Sequence, residues 1–119
     1  MALEFAIEDR RIDGATHVVA VRGEIDLFTS PEFKQRVMAP VATGVEHVVV
    51  DLMETTFIDS SSLGALIAAH RRLKGRGARL VVACDDDAIV KTFRVTGLDN
   101  VFPVVDSVEA ALSARARAA

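Results

Sequence analysis

An apolar run that passes quickly into an amphipathic pattern constrains the fold of this chain more than any other feature. The run lies within Val45 to Leu52, and its apolar continuity is typical of a central strand that is covered on both faces. From about Ser61 to Lys74, apolar residues recur at helical spacing, and Gly75 follows as a stop signal. A buried strand followed by an amphipathic helix indicates an α/β fold with parallel strands.

Similar patterns of strands and helices flank this central unit on both sides. Further strands are predicted at Leu3–Glu8, Thr16–Gly23, Arg79–Cys84 and Val101–Val105. Further helices are predicted to begin at Ser30, at Asp85–Asp87 and at Asp106–Glu109. The turn at Asp13-Gly14 makes the first two strands an antiparallel hairpin, and Pro103, which cannot donate a ladder hydrogen bond, places the last strand at an edge.

These elements predict one α/β domain over residues 1–119 with a frayed C-terminal end. Its sheet would be five-stranded, mixed and mostly parallel, with an antiparallel edge hairpin and four helices.

The first helix carries clear boundary signals. Ser30 is predicted to be its N-cap, and Pro31 suits the first helical position. Pro40 is expected to kink or end the helix, and Gly44 is expected to stop it.

Charge and composition exclude several classes of function. The net charge is −3, which argues against nucleic acid as a main partner because phosphate backbones are bound by clustered cations. Cations do cluster after the second helix, where they are interpreted as a solvated helix end: Arg71, Arg72, Lys74, Arg76 and Arg79. No segment has a signal-peptide pattern or the length of a membrane span, so we expect a cytoplasmic, soluble protein without a membrane partner.

The residues that could support catalysis or metal binding have simpler interpretations. The sequence has no Walker-type loop and no nucleophile elbow, and Gly75–Leu80 lacks the third glycine of a dinucleotide loop. The single Cys84 is interpreted as a buried core thiol, and the acids at Asp85–Asp87 as a helix cap. The three histidines are interpreted as surface or helix-face residues: His17, His47 and His70. We therefore predict no enzyme activity, no cofactor and no metal.

Three consecutive serines stand where the central strand gives way to the second helix. Ser60 and Ser61 lie where several backbone N–H groups have no helical partner and the helix dipole is positive. A serine at such a position can cap the helix or carry a phosphate. Three hydroxyls exceed what one N-cap requires, which favours a role beyond capping.

Several segments, taken in order, resemble the STAS-domain anti-sigma-factor antagonists. The matching segments are Gly23-Glu24-Ile25-Asp26, Val48–Leu52, Phe57-Ile58-Asp59-Ser60-Ser61, Leu63-Gly64, Arg79–Val82 and Val95–Leu98. The resemblance covers nearly the whole chain and implies a bacterial regulator that releases a sigma factor by occupying its inhibitor. One departure is Ser62, where the family usually has glycine.

The resemblance also implies a phosphorylation site and partners. Ser60 would be phosphorylated by the anti-sigma factor, a serine kinase of the GHKL type, with Ser61 as the fallback acceptor. A PP2C-type phosphatase is the second implied partner. The partner-binding residues implied are Glu24, Asp26, Asp59, Ser60, Ser61, Ser62 and Gly64. The Gly23–Asp26 segment is expected to lie beside Ser60, because it leaves a neighbouring strand at the same end of the sheet.

Two other functions are compatible with the sequence. A STAS domain can be a non-switching interaction subunit of a larger complex such as a transporter, in which case the serines are caps only. A nucleotide-binding module is a third interpretation.

Overall fold

A mixed sheet of five strands forms the centre of the computed structural model, which describes residues 4–114. The strands are β1 (Ala6–Arg11), β2 (Thr16–Ile25), β3 (His47–Ile58), β4 (Arg79–Ala83) and β5 (Val104–Val105). The α-helices are α1 (Ser30–Ala42), α2 (Ser60–Lys74), α3 (Asp87–Val95) and α4 (Val108–Ala114). The strands lie in the order β1-β2-β3-β4-β5, with β1 antiparallel to β2 and all other pairs parallel.

The predicted fold class is therefore confirmed, including the edge hairpin and the edge position of β5. The predicted first-strand residue Leu3 and the predicted frayed end at 115–119 lie outside the described residues.

Helices cover the sheet on both faces, as the apolar run of β3 predicts. Val48 and Val50 pack into the larger part of the core, beneath Phe33 of α1 and Leu66 of α2. Val49, which alternates to the other face, packs into a smaller core with residues of α4. Each such fully buried side chain contributes about 1.5–3 kcal/mol to folding.

The central strand begins two residues later than the sequence pattern predicts, at His47, and ends six residues later, at Ile58 rather than Leu52. Its partner β2 also continues past the predicted end at Gly23, and Ile25 pairs with Ile58. Two register shifts between these strands interrupt the regular alternation. Gly23 has a φ of 84°, a conformation that glycine adopts without strain. As a result, Asp59 alone separates β3 from α2.

The N-cap prediction for α1 is wrong, and so is the alternative in which Pro40 ends the helix. The N-cap is Thr29 rather than Ser30, because the Asp26 carboxylate accepts the N–H groups of Phe28 and Thr29 and sets the turn one residue earlier. The helix also continues through Pro40 to its end at Ala42, where the Thr43 hydroxyl donates to the Pro40 carbonyl at 2.7 Å. The predicted stop at Gly44 is confirmed, with a φ of 85°.

The last strand is shorter than the predicted Val101–Val105. A 3₁₀ turn at Leu98–Asn100 precedes it, and the N–H groups of Val101 and Phe102 both donate to the Leu98 carbonyl. Val101 and Phe102 are therefore not part of β5. Asp86 caps α3 by accepting the N–H groups of Ala88 and Ile89, which confirms the capping interpretation of the acidic run.

The predicted core thiol is confirmed, whereas one histidine prediction is wrong. Cys84 is buried, and burial raises the pKa of its thiol. His47 is buried rather than exposed, because α4 covers it; its ring Nε2 lies 3.2 Å from the Ala111 carbonyl oxygen. His70 is half-buried on α2, with its ring centroid 5.8 Å from that of Phe102.

The cation cluster lies at the C-terminal end of α2. Arg71, Arg72 and Lys74 are exposed in the last helical turn, as predicted for a solvated helix end. The Arg76 guanidinium instead donates to the carbonyl oxygens of Val41 and Val45, so it ties α2 to the end of α1. Over residues 4–114, we find no helix with the length and apolarity that a membrane crossing requires.

Candidate functional site

The junction between β3 and α2 is organised by the Asp59 carboxylate. Its Oδ1 accepts the backbone N–H groups of Ser61 and Ser62, both at 3.1 Å, and the Ser61 hydroxyl at 2.6 Å. The hydrogen bond from the Ser61 hydroxyl lowers the pKa of the Asp59 carboxyl, which outweighs the opposing effect of partial burial. Asp59, rather than a serine, is therefore the N-cap of α2, and it carries a negative charge at the positive end of the helix.

Ser62 also stabilises the β3–α2 junction, through a buried side chain that bonds to the Asp59 backbone. Its side chain is only 1% exposed, and its Oγ accepts the Asp59 N–H at 3.0 Å and donates to the Asp59 carbonyl at 2.7 Å. The bond from the Asp59 N–H to the Ser62 Oγ and the bond from the Ser62 N–H to the Asp59 carboxylate form a capping box. Each bond is worth about 1 kcal/mol, so Ser62 fixes the conformation of the junction but does not reach its surface.

Ser60 and Ser61 are both exposed, but their hydroxyls differ. The Ser61 hydroxyl is held by Asp59. Among residues 4–114, the Ser60 hydroxyl has no hydrogen-bond partner. Of the three serines, Ser60 is thus the one whose hydroxyl is both exposed and available to another molecule.

The segment that follows β2 lies beside this junction. Because Glu24 pairs with Phe57 and Ile25 pairs with Ile58, the β2–α1 loop and the β3–α2 junction leave adjacent strands at the same end of the sheet. The predicted proximity of the Gly23–Asp26 segment to Ser60 is confirmed. Glu24 is exposed, whereas Asp26 is half-buried and hydrogen-bonded within its own loop.

Gly64 lies one helical turn after Ser60, on the same side of α2. It is exposed, and a Cβ added at this position would meet no atom within 4 Å. Packing within the domain therefore does not require glycine here, although glycine lowers helix stability by about 1 kcal/mol relative to alanine.

The lysine, arginine and acidic side chains were compared in two segments, the one around the β2–α1 loop and the one around the β3–α2 junction, and only acidic ones occur there. Residues 23–33 and 55–70 contain no lysine or arginine. Their carboxylates are Glu24, Asp26, Glu32 and Asp59. Within the described chain, no group of three or more histidine, cysteine or acidic side chains is placed to hold a metal ion. The charged side chains of these two segments are therefore all acidic, and they lie near the exposed Ser60 hydroxyl.

The STAS domain family model matches residues 6–111, almost the whole of the described chain. The chain belongs to the STAS domain family. This STAS domain is 30% identical over 106 residues to the anti-sigma-B factor antagonist of Listeria monocytogenes, an alignment that covers 87% of this chain and 90% of the relative.

Solved structures show the same relationship. This STAS domain superposes on an anti-sigma factor antagonist from Mycobacterium paratuberculosis with a TM-score of 0.87 and 32% identity, over 93% of each chain. The Bacillus cell fate determinant SpoIIAA in its phosphorylated form shares the fold, with a TM-score of 0.73 and 20% identity over 93% of this chain and 99% of that one. The family resemblance that the sequence indicates is thus confirmed.

Three exposed apolar side chains of this STAS domain were not predicted from the sequence, and they lie at the end of the sheet that carries Ser60. Leu27 is 71% exposed, Phe28 is 88% exposed and Phe57 is 47% exposed. The available signal was the pair Leu27-Phe28 between the turn residue Asp26 and the start of α1, since two adjacent large apolar residues in a short loop cannot both be buried easily.

The capping role of Asp59 predicts a pH dependence of stability in this STAS domain. Because the pKa of Asp59 is lower in the folded than in the unfolded chain, the ionised cap stabilises the fold above about pH 4, and this contribution is lost as the pH falls through the folded-state pKa.

The variant Asp59→Asn tests this dependence, because it keeps a capping side chain without the charge. We expect the wild type to exceed this variant in unfolding free energy by about 0.3–1 kcal/mol at pH 6, and the difference to shrink below about pH 4. Urea unfolding at both pH values measures it; a difference that does not change with pH would contradict the assignment.

Proposed function

We propose that this STAS domain is an anti-sigma factor antagonist whose binding is switched off by phosphorylation of Ser60. The unphosphorylated form binds a serine-kinase anti-sigma factor of the GHKL type and thereby frees the sigma factor. The observation that carries the proposal is the exposed Ser60 hydroxyl, which is unbonded within residues 4–114 while the neighbouring Ser61 and Ser62 hydroxyls are both engaged.

In this function the domain is the substrate of phosphoryl transfer and not a catalyst. The Ser60 Oγ attacks the γ-phosphorus of ATP bound to the kinase, the bond between that phosphorus and the bridging oxygen of ADP breaks, and the hydroxyl proton passes to a base on the kinase. A substrate needs only an accessible hydroxyl on a well-defined backbone. The capping box of Asp59 and Ser62 supplies that backbone.

The capping arrangement also determines where the new charge lies. A phosphoserine carries about −1.5 to −2 charges at neutral pH. Because Asp59 already accepts the N–H groups of Ser61 and Ser62, these two amides are not free to bind the phosphate. The phosphate charge therefore stays on the surface beside an ionised carboxylate, where it faces the kinase site and its remaining ADP. Like charges brought together in an interface cost several kcal/mol, which is sufficient to release the partner.

The proposed contact surface includes most of the residues that the family resemblance implies. These residues are Glu24, Asp26, Asp59, Ser60, Ser61 and Gly64. Ser62 is omitted, since its side chain is buried beneath the junction and acts on the partner only by fixing Asp59. A PP2C-type phosphatase would complete the cycle by hydrolysing the phosphoserine, with water attacking phosphorus to release inorganic phosphate and the free Ser60 hydroxyl.

Mass spectrometry of the intact protein tests the acceptor assignment. The wild type, Ser60→Ala and Ser61→Ala are each incubated with ATP and the GHKL-type kinases of the source genome, purified singly. We expect the wild type and Ser61→Ala to gain one phosphoryl group and Ser60→Ala to gain none, because Ser60 is the one of the three junction serines whose hydroxyl is exposed and unbonded within residues 4–114.

Equal phosphate uptake by the wild type and Ser60→Ala would reject Ser60 as the acceptor. Loss of uptake in Ser61→Ala alone would move the acceptor to Ser61.

A further inference from the structure

The β2–α1 loop presents two apolar side chains that the fold itself does not use. Leu27 and Phe28 are 71% and 88% exposed, whereas the neighbouring apolar residues Ile25 and Phe33 are completely buried. Large aromatic side chains that are left in solvent near a functional site are typical of binding surfaces.

The backbone that carries these side chains is held by hydrogen bonds. Oδ1 of Asp26 accepts the N–H groups of Phe28 at 2.9 Å and Thr29 at 3.0 Å. The Thr29 hydroxyl lies 2.8 Å from the Asp26 amide nitrogen and 3.0 Å from the Glu24 carbonyl oxygen. A loop fixed in this way loses little conformational freedom when a partner binds, so its exposed side chains can contribute to affinity more fully.

The position of the loop places it at the edge of the proposed kinase contact. Ile25 pairs with Ile58, two residues before Ser60, and α1 packs beside α2 on the same face of the sheet. The loop that enters α1 therefore lies next to the residue that begins α2. A partner that reaches the Ser60 hydroxyl therefore approaches the same end of the sheet that carries Leu27 and Phe28.

The charge around the loop indicates the chemistry of the complementary surface. Glu24, Asp26 and Glu32 flank Leu27 and Phe28, and residues 23–33 contain no cation. The matching surface is an apolar pocket with lysine or arginine at its rim. This surface differs from the one that faces Ser60, where the partner's own nucleotide phosphates lie.

We propose that Leu27 and Phe28 form an apolar anchor that inserts into a cation-rimmed apolar pocket on the kinase-type anti-sigma factor. The inference rests on the proposed function and adds to it a second point of attachment. The anchor provides affinity and partner choice, and the Ser60 hydroxyl provides the switch. Phosphorylation can then release the partner while the anchor itself remains unchanged.

Binding measurements on Phe28→Ser and Leu27→Ser test the anchor. We expect Phe28→Ser to raise the Kd for the ADP-loaded kinase at least about 30-fold, as for a central aromatic contact, and Leu27→Ser to raise it about 5- to 10-fold. In the phosphorylation assay, Phe28→Ser should raise KM and leave kcat nearly unchanged, because the anchor contacts the partner before and during transfer alike.

Val95→Ser is the matched control. Val95 is 75% exposed at the C-terminal end of α3, which runs back from the end of β4 toward the opposite end of the sheet. We expect this variant to bind within about twofold of the wild type. Urea unfolding checks that all three variants keep the stability of the wild type.

The possible failures are distinguishable. A Kd for Phe28→Ser within threefold of a tightly binding wild type would overturn the anchor and leave the proposed function standing. A wild type that binds no kinase would overturn both proposals. A wild-type dimer in sedimentation that Phe28→Ser converts to a monomer would assign these side chains to self-association and would also overturn the anchor.

Discussion

Replacing Ser60 with aspartate is expected to raise the Kd for the kinase-type anti-sigma factor at least about 30-fold, and replacing it with alanine to change Kd by less than about threefold. The aspartate places a second carboxylate beside Asp59, whose own charge is maintained by hydrogen bonds from Ser61 and Ser62. Alanine removes only a hydroxyl that has no partner within residues 4–114. Titration calorimetry with the ADP-loaded kinase measures both constants.

Ser113→Asp is the control for a general effect of charge. Ser113 is exposed on α4, which covers the opposite face of the sheet, so the same added charge there should leave Kd nearly unchanged. If Ser60→Asp bound as tightly as Ser60→Ala, charge at this position would not control the interface.

Gly64→Leu is expected to change stability and binding in opposite directions. Leucine has a helix propensity nearly 1 kcal/mol more favourable than glycine, and a Cβ at this position meets nothing within 4 Å, so the free energy of unfolding should rise by about 0.5–1 kcal/mol. The new side chain would stand one turn from Ser60, where the partner must approach, and Kd should rise at least about 30-fold. Urea unfolding and calorimetry measure the two effects.

Ala39→Leu provides the comparison for the added volume. Ala39 is exposed on α1, and we expect its replacement to leave partner binding within about twofold. A Gly64→Leu variant that is more stable and still binds normally would show that the partner does not cover this turn of α2.

The strand and helix order could be predicted because it depends on local apolar periodicity, but the length of β3 could not. Met53 to Phe57 alternates irregularly between exposed and buried positions, and its pairing with β2 passes through two register shifts. That pairing involves residues about thirty positions apart, so no local pattern specifies it. The buried state of His47 has a similar cause, since α4 covers it from far along the chain.

The location of the candidate site was predictable, whereas the distinct roles of its serines were not. A strand end followed by hydroxyls indicates a helix N-terminus from sequence alone. Three adjacent serines have the same chemistry, and only the helical geometry turns Ser62 inward, places Ser61 on Asp59 and leaves Ser60 free. Ser62 stands where the family usually has glycine, so the family pattern gave no indication that its side chain would close the capping box.

The anchor residues were missed for a different reason. Large apolar residues are more often buried than exposed, and the pair Leu27-Phe28 does not by itself specify which of its side chains stays outside the core. Their exposure follows from the Asp26 turn, whose hydrogen bonds hold the loop away from the core.

The most direct test of the switch is a titration of one preparation of the native chain against its kinase before phosphorylation, after complete phosphorylation and after phosphatase treatment. We expect Kd to rise at least about 30-fold on phosphorylation and to return to its first value when the phosphate is removed. A chain that carries phosphate on Ser60 and binds the kinase with its original affinity would contradict the account.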